Sequence, residues 1–331
     1  MQTKLSRICD AIIEAGWLAT LVVAPLFFNT FSNRVFEPDK IHLVRSIALL
    51  MAATWLVQLI DGALAGKTEG GGLRSHVGST PLVLPTLILV ASYLLSTALS
   101  LVPRISFLGS YVRLQGTFTF LSYILIFGAI LTHLRTRTQI NRLLHAVIIT
   151  SLPIAIYGII QNAGLDPLPW GGDVVERVAA NMGNAIFVAA YLIMAVFLTL
   201  ERLINSVVGL LKSQSSGLGD ALRAGAYLFV LIVQLIAIVY TQSRGPQLGL
   251  AAGLYVFLLL GLLLLARWGA SQAHGPAPLR WLSTHVRGAW SAVIGLTIAG
   301  LIFLVVLNIP GGPLKDVCEV RYVSRTCTLF S

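Results

Sequence analysis

Arginines at short turns are the residues of this sequence that could do chemistry. Arg244 and Ser243 lie in the turn Gln242-Ser243-Arg244-Gly245-Pro246, directly before an apolar run. The free N–H groups and the dipole at a helix N-terminus favour an anion, and a guanidinium binds phosphate oxygens through charge-assisted hydrogen bonds. The turn therefore predicts a phosphate-binding group at the start of a helix.

A second arginine, Arg113, lies in a compact segment between Gly109 and Gly116. Glycines allow close approach of the backbone, and the amide of Gln115 adds hydrogen-bond donors to the same segment. Arg113 and Gln115 would then form one side of a pyrophosphate clamp, and Arg244 would form the other.

The same arginines have alternative partners. Each could reach the phosphates of membrane lipids or pair with a nearby carboxylate. A third arginine, Arg177, precedes Asn181 and Asn184, and either asparagine could cap the helix that follows. The candidate acidic partners are Glu37, Asp39, Asp173 and Glu176.

Acids and histidines give further candidates. Asp10 and Glu14 are four residues apart and hence on one helical face, where they would either begin the helix at the membrane interface or take part in proton or ion movement. His42 is the histidine that the predicted topology puts towards the outer face, and we expect it to be interfacial. These patterns assign no residue a catalytic role.

The elements that must position these residues are membrane helices. The 331 residues are 56% hydrophobic and 11% charged, against roughly 45–50% and about 25% in soluble domains, which excludes a water-soluble globule. The net charge of +10 does not predict nucleic-acid binding, because no base-reading or stacking element accompanies it. The three cysteines, Cys9, Cys318 and Cys327, lack the spacing of metal ligands, so we predict neither a metal site nor a cofactor.

Apolar runs of about 20 residues, the length that crosses a bilayer, predict an all-α, polytopic membrane protein. Residues 1–308 would form one multi-span domain, and 309–331 would begin an extracytoplasmic loop or tail. The stretch 224–266 would extend ~64 Å as a single helix, so we predict two helices that meet near Arg244, with Ser243 as N-cap and Pro246 in the first turn. The nine predicted spans are 8–28, 42–64, 82–102, 116–133, 143–163, 182–200, 224–243, 246–266 and 289–308.

Nine spans put the two termini on opposite sides of the membrane. With a cytoplasmic N-terminus, 13 Lys and Arg residues lie on the cytoplasmic side and 10 on the outer side, a small excess that favours this orientation. The outer loops are compact and combine arginines with aromatic and turn residues. We therefore predict a cytoplasmic N-terminus, an extracytoplasmic C-terminus and an outer location for the candidate arginines.

Three motifs together resemble those of the O-antigen ligase and O-antigen polymerase-like membrane proteins. They are residues 241–245 (Thr-Gln-Ser-Arg-Gly), 109–116 (Gly-Ser-Tyr-Val-Arg-Leu-Gln-Gly) and 183–192, which has Ala185 where the family usually has proline. The resemblance extends from about residue 27 onward. It implies a glycosyltransferase of the bacterial inner membrane that moves a glycan from an undecaprenyl-pyrophosphate carrier to an extracytoplasmic acceptor in cell-envelope polysaccharide synthesis such as that of lipopolysaccharide, without a nucleotide sugar or a metal.

By this resemblance, Arg244 and Arg113 would hold the pyrophosphate of the lipid-linked oligosaccharide and stabilise the leaving group. Arg177, Gln115 and Ser243 complete the predicted binding set. The family also has about a dozen spans and a large outer loop with a catalytic histidine, the base for the acceptor hydroxyl. The sequence ends where that loop would begin, so we expect a carrier-binding protein that lacks the histidine loop or receives it from a partner chain.

Two other functions stay open at this point. A small-anion transporter, for a bicarbonate-like substrate, would use Asp10, Glu14 and the outer arginines along its pathway. An accessory subunit would instead pack its helices against a larger membrane complex. In all three cases membrane lipids surround the chain.

Overall fold

The computed structural model describes residues 3–31, 36–64, 82–168, 170, 172–212, 217–271 and 286–307. Within these ranges every regular element is a helix, which confirms the predicted all-α class. The predicted tail at 309–331, with Cys318 and Cys327, lies outside the described residues. The helices are α1 (Lys4–Leu26), α2 (Glu37–Leu64), α3 (Val83–Ala98), α4 (Pro103–Leu108), α5 (Thr117–His133), α6 (Arg137–Asn162), a 3₁₀ helix (Ala180–Met182), α7 (Ala185–Lys212), α8 (Leu218–Tyr240), α9 (Arg244–Ser271) and α10 (Val286–Leu307).

Six of these helices, α1, α2, α6, α7, α8 and α9, are long and apolar enough to cross a membrane. The other three predicted spans coincide with shorter apolar helices, which are α3, α5 and Trp290–Gly300 within α10. The 16 residues of α3 extend only about 24 Å, because the helix ends at Ala98 and a new one begins at Pro103. The described chain is a membrane protein with six candidate spanning helices, while the count of nine and the orientation of the termini stay predictions.

The chain divides into two compact units. The first comprises Met1–Val207 and Gly217–Gln247, and the second comprises Val208–Ser216 and Leu248–Ser331. In the first unit α1 packs against α2 and α6, α2 packs against α5, and α6 packs against α8. The described part of the second unit consists of the end of α7, most of α9 and α10.

A small residue sets the spacing of the first two helices. A Cβ atom on Gly16 of α1 would lie 2.6 Å from Met51 Cγ on α2, so the Met51 side chain packs directly on the α1 backbone at Gly16 and a larger residue there would displace it. The buried core around this contact comprises Ile13, Trp17, Val44, Ala48, Met51, Ile126 and Ala129.

Helix ends in the first unit gather on two opposite faces. We call one the Arg244 face; it comprises the C-terminal ends of α1, α6 and α8 and the N-terminal ends of α2, α5, α7 and α9. There Lys40 of α2 donates a hydrogen bond to the carbonyl oxygen of Pro25 on α1 (3.4 Å). We call the other the Lys4 face, at the start of α1 and α6 and the end of α2 and α5. All five predicted binding residues lie on the Arg244 face.

Candidate functional site

The turn before α9 has the predicted form. Helix α8 ends at Tyr240 and α9 begins at Arg244, so one apolar stretch does make two helices, and Gln242 between them has a φ of +47°. The carbonyl oxygen of Ser243 accepts from the N–H of Gln247 (3.1 Å), which confirms Ser243 at the N-cap position. Its hydroxyl does not cap the helix but donates to the carbonyl oxygen of Thr241 (3.2 Å).

A second arginine lies next to this helix start. Arg177 Nη2 donates to Ser243 Oγ over 3.4 Å, and the N–H of Val178 donates to the carbonyl oxygen of Tyr240 over 3.2 Å. These two bonds join the segment before α7 to the turn between α8 and α9. Arg177 and Arg244 are both exposed, so one guanidinium lies beside Ser243 and a second exposed arginine follows it as the first residue of α9.

A buried glutamine fixes the segment that carries Arg177. Gln161, at the end of α6, is fully buried, and its Oε1 accepts from the N–H groups of Ala179 (3.3 Å) and Ala180 (2.7 Å). Ala180 has a φ of +42°, which is costly for a residue with a Cβ. Gly158 leaves room for Val178, since a Cβ on Gly158 would lie 2.9 Å from Val178 Cγ1.

The carboxylate of Asp166 holds the loop after α6. It accepts hydrogen bonds from Tyr157 Oη (2.8 Å), Gln161 Nε2 (3.0 Å), the N–H of Leu168 (3.1 Å) and Trp170 Nε1 (2.6 Å). Burial by itself opposes ionisation of this carboxyl, but the four donors outweigh it and hold the pKa of Asp166 below its ordinary value. The carboxylate therefore joins the end of α6 to the loop that follows it.

Four stacked aromatic rings connect the two aromatic donors of that carboxylate, Trp170 and Tyr157. Trp170 stacks on Phe36 with 5.5 Å between ring centroids, Phe36 on Phe28 (6.5 Å), and Phe28 on Tyr157 (6.1 Å). Gly183 has a φ of +70°, and a Cβ there would overlap the ring of Phe36. The sequence marked these loops as rich in aromatic residues, but it did not show that the rings stack on one another.

The loop with Arg113 is closed by its two glycines. Gly109 has a φ of +92°, and a Cβ on Gly116 would overlap the backbone nitrogen of Gly109. The close backbone approach that these glycines predicted is therefore between the two ends of the loop. Arg113 Nε lies 3.8 Å from Glu37 Oε2, and the arginine side chain is 68% exposed. Arg113 thus makes the alternative ion pair with Glu37, and its guanidinium is still accessible. Gln115 is exposed as well.

The structure brings three of the five predicted residues together. Arg177, Ser243 and Arg244 form one cluster, whereas Arg113 and Gln115 lie beside Glu37 in another part of the Arg244 face. Among the described residues no hydrogen bond or ion pair joins the two groups, so the proposed two-sided clamp is not formed by direct contact.

Sequence reasoning missed Arg45, which is 5% exposed. Its Nη2 donates to the carbonyl oxygens of Leu108 (2.8 Å) and Leu114 (2.7 Å), and Nε and Nη2 both reach Thr119 Oγ1 (3.0 and 2.7 Å). The guanidinium also lies over the ring of Phe118, 4.7 Å from its centroid. Arg45 thus holds both ends of the loop that carries Arg113.

The two asparagines before α7 differ in role. Asn184 Oδ1 accepts from the N–H of Ile186 (2.9 Å), so Asn184 caps the helix as predicted. The capping alternative is wrong for Asn181, because its Nδ2 donates to the carbonyl oxygens of Pro25 (2.6 Å) and Leu26 (3.0 Å) at the end of α1. Asn181 joins two helix ends instead.

The acids of α1 pair towards the Lys4 face. Glu14 Oε1 accepts from Arg142 at 2.5 Å from Nη2 and 2.6 Å from Nε. Gln58 Nε2 donates to Asp10 Oδ1 (2.7 Å), and His133 Nε2 lies 3.8 Å from the same oxygen. Asp10 and Glu14 therefore do not belong to one site with the arginines of the Arg244 face.

In the described part of the chain, no group of three or more His, Cys, Asp or Glu residues could hold a metal ion.

Comparison with known proteins adds no assignment to this geometry. No family model, no curated protein and no solved structure matches the chain.

Proposed function

We propose that the Arg244 face binds the pyrophosphate of an undecaprenyl-pyrophosphate-linked glycan, in glycan transfer of the O-antigen ligase type on the outer side of a bacterial inner membrane. One observation carries the proposal. Arg177 Nη2 donates to Ser243 Oγ (3.4 Å), so a second guanidinium lies beside the helix start that bears Arg244.

The chemistry of this cluster suits a pyrophosphate leaving group. Two exposed guanidinium groups can each donate paired hydrogen bonds to phosphate oxygens, and the N–H groups at the start of α9 add partial positive charge. Charge that develops on the pyrophosphate during transfer would be stabilised by the same groups. We assign Arg177, Ser243 and Arg244 to binding of the carrier, with Arg113 and Gln115 as further contacts, and none of them to activation of the acceptor.

Binding of the carrier without its glycan tests the proposal. Purified protein in detergent is titrated with undecaprenyl pyrophosphate, and we expect Arg244→Ala and Arg177→Ala each to weaken binding about tenfold, the effect of losing one or two charge-assisted hydrogen bonds. Arg7→Ala is the matched control, because Arg7 is exposed near the start of α1. Affinities that are the same for the wild type and both Arg244 face variants would refute the proposal.

Transport of a small anion is the second candidate, because polar side chains lie inside the helix bundle. Gln234 of α8 donates from Nε2 to Ser151 Oγ (2.7 Å) and Thr199 Oγ1 (3.0 Å), and all three residues are fully buried. Among the described residues, Gln234 Oε1 and Thr150 Oγ1 have no hydrogen-bond partner. Buried polar groups within spans often mark a pathway, so uptake of bicarbonate into proteoliposomes that Gln234→Leu abolishes would favour this function over carrier binding.

A further inference from the structure

A groove in the first unit is independent of the arginine cluster. It lies between α1, α2 and α5, with Tyr191 of α7 in its wall, and its volume is about 510 Å³. That volume falls within the roughly 300–1,000 Å³ of ligand sites. Its lining is mainly aliphatic and aromatic, and Tyr123 and Phe127 of α5 are partly exposed at its edge.

One charged side chain lines this groove, and it is Lys40 in the first turn of α2. Its Nζ donates to the carbonyl oxygens of Asn181 (3.0 Å) and Pro25 (3.4 Å). An ammonium group has three donors, so one N–H is left for a further acceptor. In the described part of the chain no ion pair joins Lys40 to a carboxylate; of the two acids in the same turn, Asp39 accepts from Asn29 and Glu37 lies beside Arg113.

The groove runs from this charge along the helices. From Tyr123 to Ile130, both in its lining, α5 advances about 10 Å. Lys40 lies in the first turn of α2, on the Arg244 face, and the apolar lining continues from it along α5. A ligand that fits this arrangement has a single negative charge at one end and a hydrocarbon chain at the other.

We propose that the groove binds an anionic glycerophospholipid, with its phosphodiester on Lys40 and an acyl chain between α1, α2 and α5. The charges match, because a phosphodiester carries one negative charge and the groove offers one ammonium group. Arg177 and Arg244, to which the proposed function assigns the pyrophosphate of the carrier, do not line the groove. The phospholipid site is thus a separate site, and its test does not depend on the carrier.

Native mass spectrometry of the purified full chain tests the proposal. The protein in detergent is mixed with phosphatidylglycerol or with phosphatidylcholine of the same acyl chains. We expect phosphatidylglycerol to bind about tenfold more tightly, because the choline ammonium of phosphatidylcholine offsets the charge of its phosphodiester and would lie close to the ammonium of Lys40. Lys40→Gln should remove this preference, whereas Lys40→Arg should keep it. Lys4→Gln removes the same charge from an exposed site at the Lys4 face, and should leave the preference intact.

A second variant keeps the test decisive if Lys40→Gln unfolds. Ala24 lines the apolar part of the groove, and Ala24→Leu fills that space while Lys40 stays in place. We expect it to weaken phosphatidylglycerol binding at least about fivefold. Equal binding of the two phospholipids, a preference unchanged in Lys40→Gln, or displacement of phosphatidylglycerol by an equal concentration of undecaprenyl phosphate would each overturn the proposal.

Discussion

Arg45 donates a hydrogen bond to the carbonyl oxygen of Leu114 over 2.7 Å, and this contact connects a buried helix position with the loop that carries Arg113. Leu114 has a φ of +51°, a conformation that costs a residue with a side chain about 1–2 kcal/mol. Thr119 Oγ1 donates to the same carbonyl oxygen (2.7 Å). The loop is thus held in a strained form by donors from α2 and α5.

We expect Arg45→Met to destabilise the protein more than any exposed arginine substitution. The change removes the guanidinium donor from the carbonyl oxygens of Leu108 and Leu114 and from Thr119 Oγ1, and each hydrogen bond of a charged group contributes about 1.5–3 kcal/mol. Thermal unfolding in detergent would show a lower midpoint for Arg45→Met, and Arg45→Lys would rescue it only in part, because an ammonium lacks the planar fork of a guanidinium. Arg104→Met, at an exposed position, is the control, and an equal shift in both variants would contradict the structural role.

Closure of the same loop predicts a strong effect of one methyl group. A Cβ on Gly116 would overlap backbone atoms of residues 107–109, which cannot move as a flexible side chain does, so Gly116→Ala should lower the unfolding midpoint and expose the loop to protease. Gly225→Ala is the matched control, since a Cβ on this α8 glycine meets no atom within 4 Å. We expect that control to be neutral or stabilising, by up to about 1 kcal/mol. Similar behaviour of the two variants would mean that the glycines do not close the loop.

The hydrogen bonds to Asp166 predict a dependence of stability on pH. Its pKa in the folded protein is lowered, so the ionised carboxylate contributes stability that is fully present above the unfolded value of about 3.9 and is lost as the pH falls through the lower folded value. Asp166→Asn should therefore lower the unfolding midpoint at pH 7 and reduce its decline in acid. Asp220→Asn, at an exposed position of α8, should keep the acid dependence of the wild type, and an acid dependence unchanged in Asp166→Asn would refute the role of Asp166.

Local patterns in the sequence predicted much of the helical framework. A turn at 242–246 could be predicted because serine, glycine and proline interrupt an apolar stretch too long for one crossing; the structure has it at 241–243, and Gly245 and Pro246 lie in the first turn of α9. The predicted span 82–102 is shorter as a helix, since α3 ends at Ala98 before a turn to Pro103. Apolar composition continues through that turn, so hydropathy alone does not reveal it.

The arrangement of the candidate site depends on contacts between distant segments, which local patterns do not contain. Arg45 has the sequence signature of an arginine that orients a span, yet it is buried against α5 and the loop before it. Asp166 is the exception, because its donors Trp170 and Gln161 lie only four and five residues away, but no common motif predicts that they meet at one carboxylate. Arg177 and Ser243 are 66 residues apart in sequence, and their contact requires the packing of α6 against α8.

The contact between Arg177 and Ser243 predicts that their contributions to carrier binding are coupled. Ser243→Ala removes the acceptor that orients Arg177 Nη2, and we expect it to weaken binding of undecaprenyl pyrophosphate about twofold to fivefold, since the lost bond is long, partly exposed and acts on the ligand only through Arg177. If Ser243 acts by orienting Arg177, the variant with both Ser243→Ala and Arg177→Ala should bind no more weakly than Arg177→Ala alone, since residues in contact are not additive. If the two fold-losses of affinity multiply in the double variant, Ser243 contacts the ligand independently of Arg177. The unfolding midpoint of each variant should be unchanged, which shows that the loss of affinity does not come from damage to the turn.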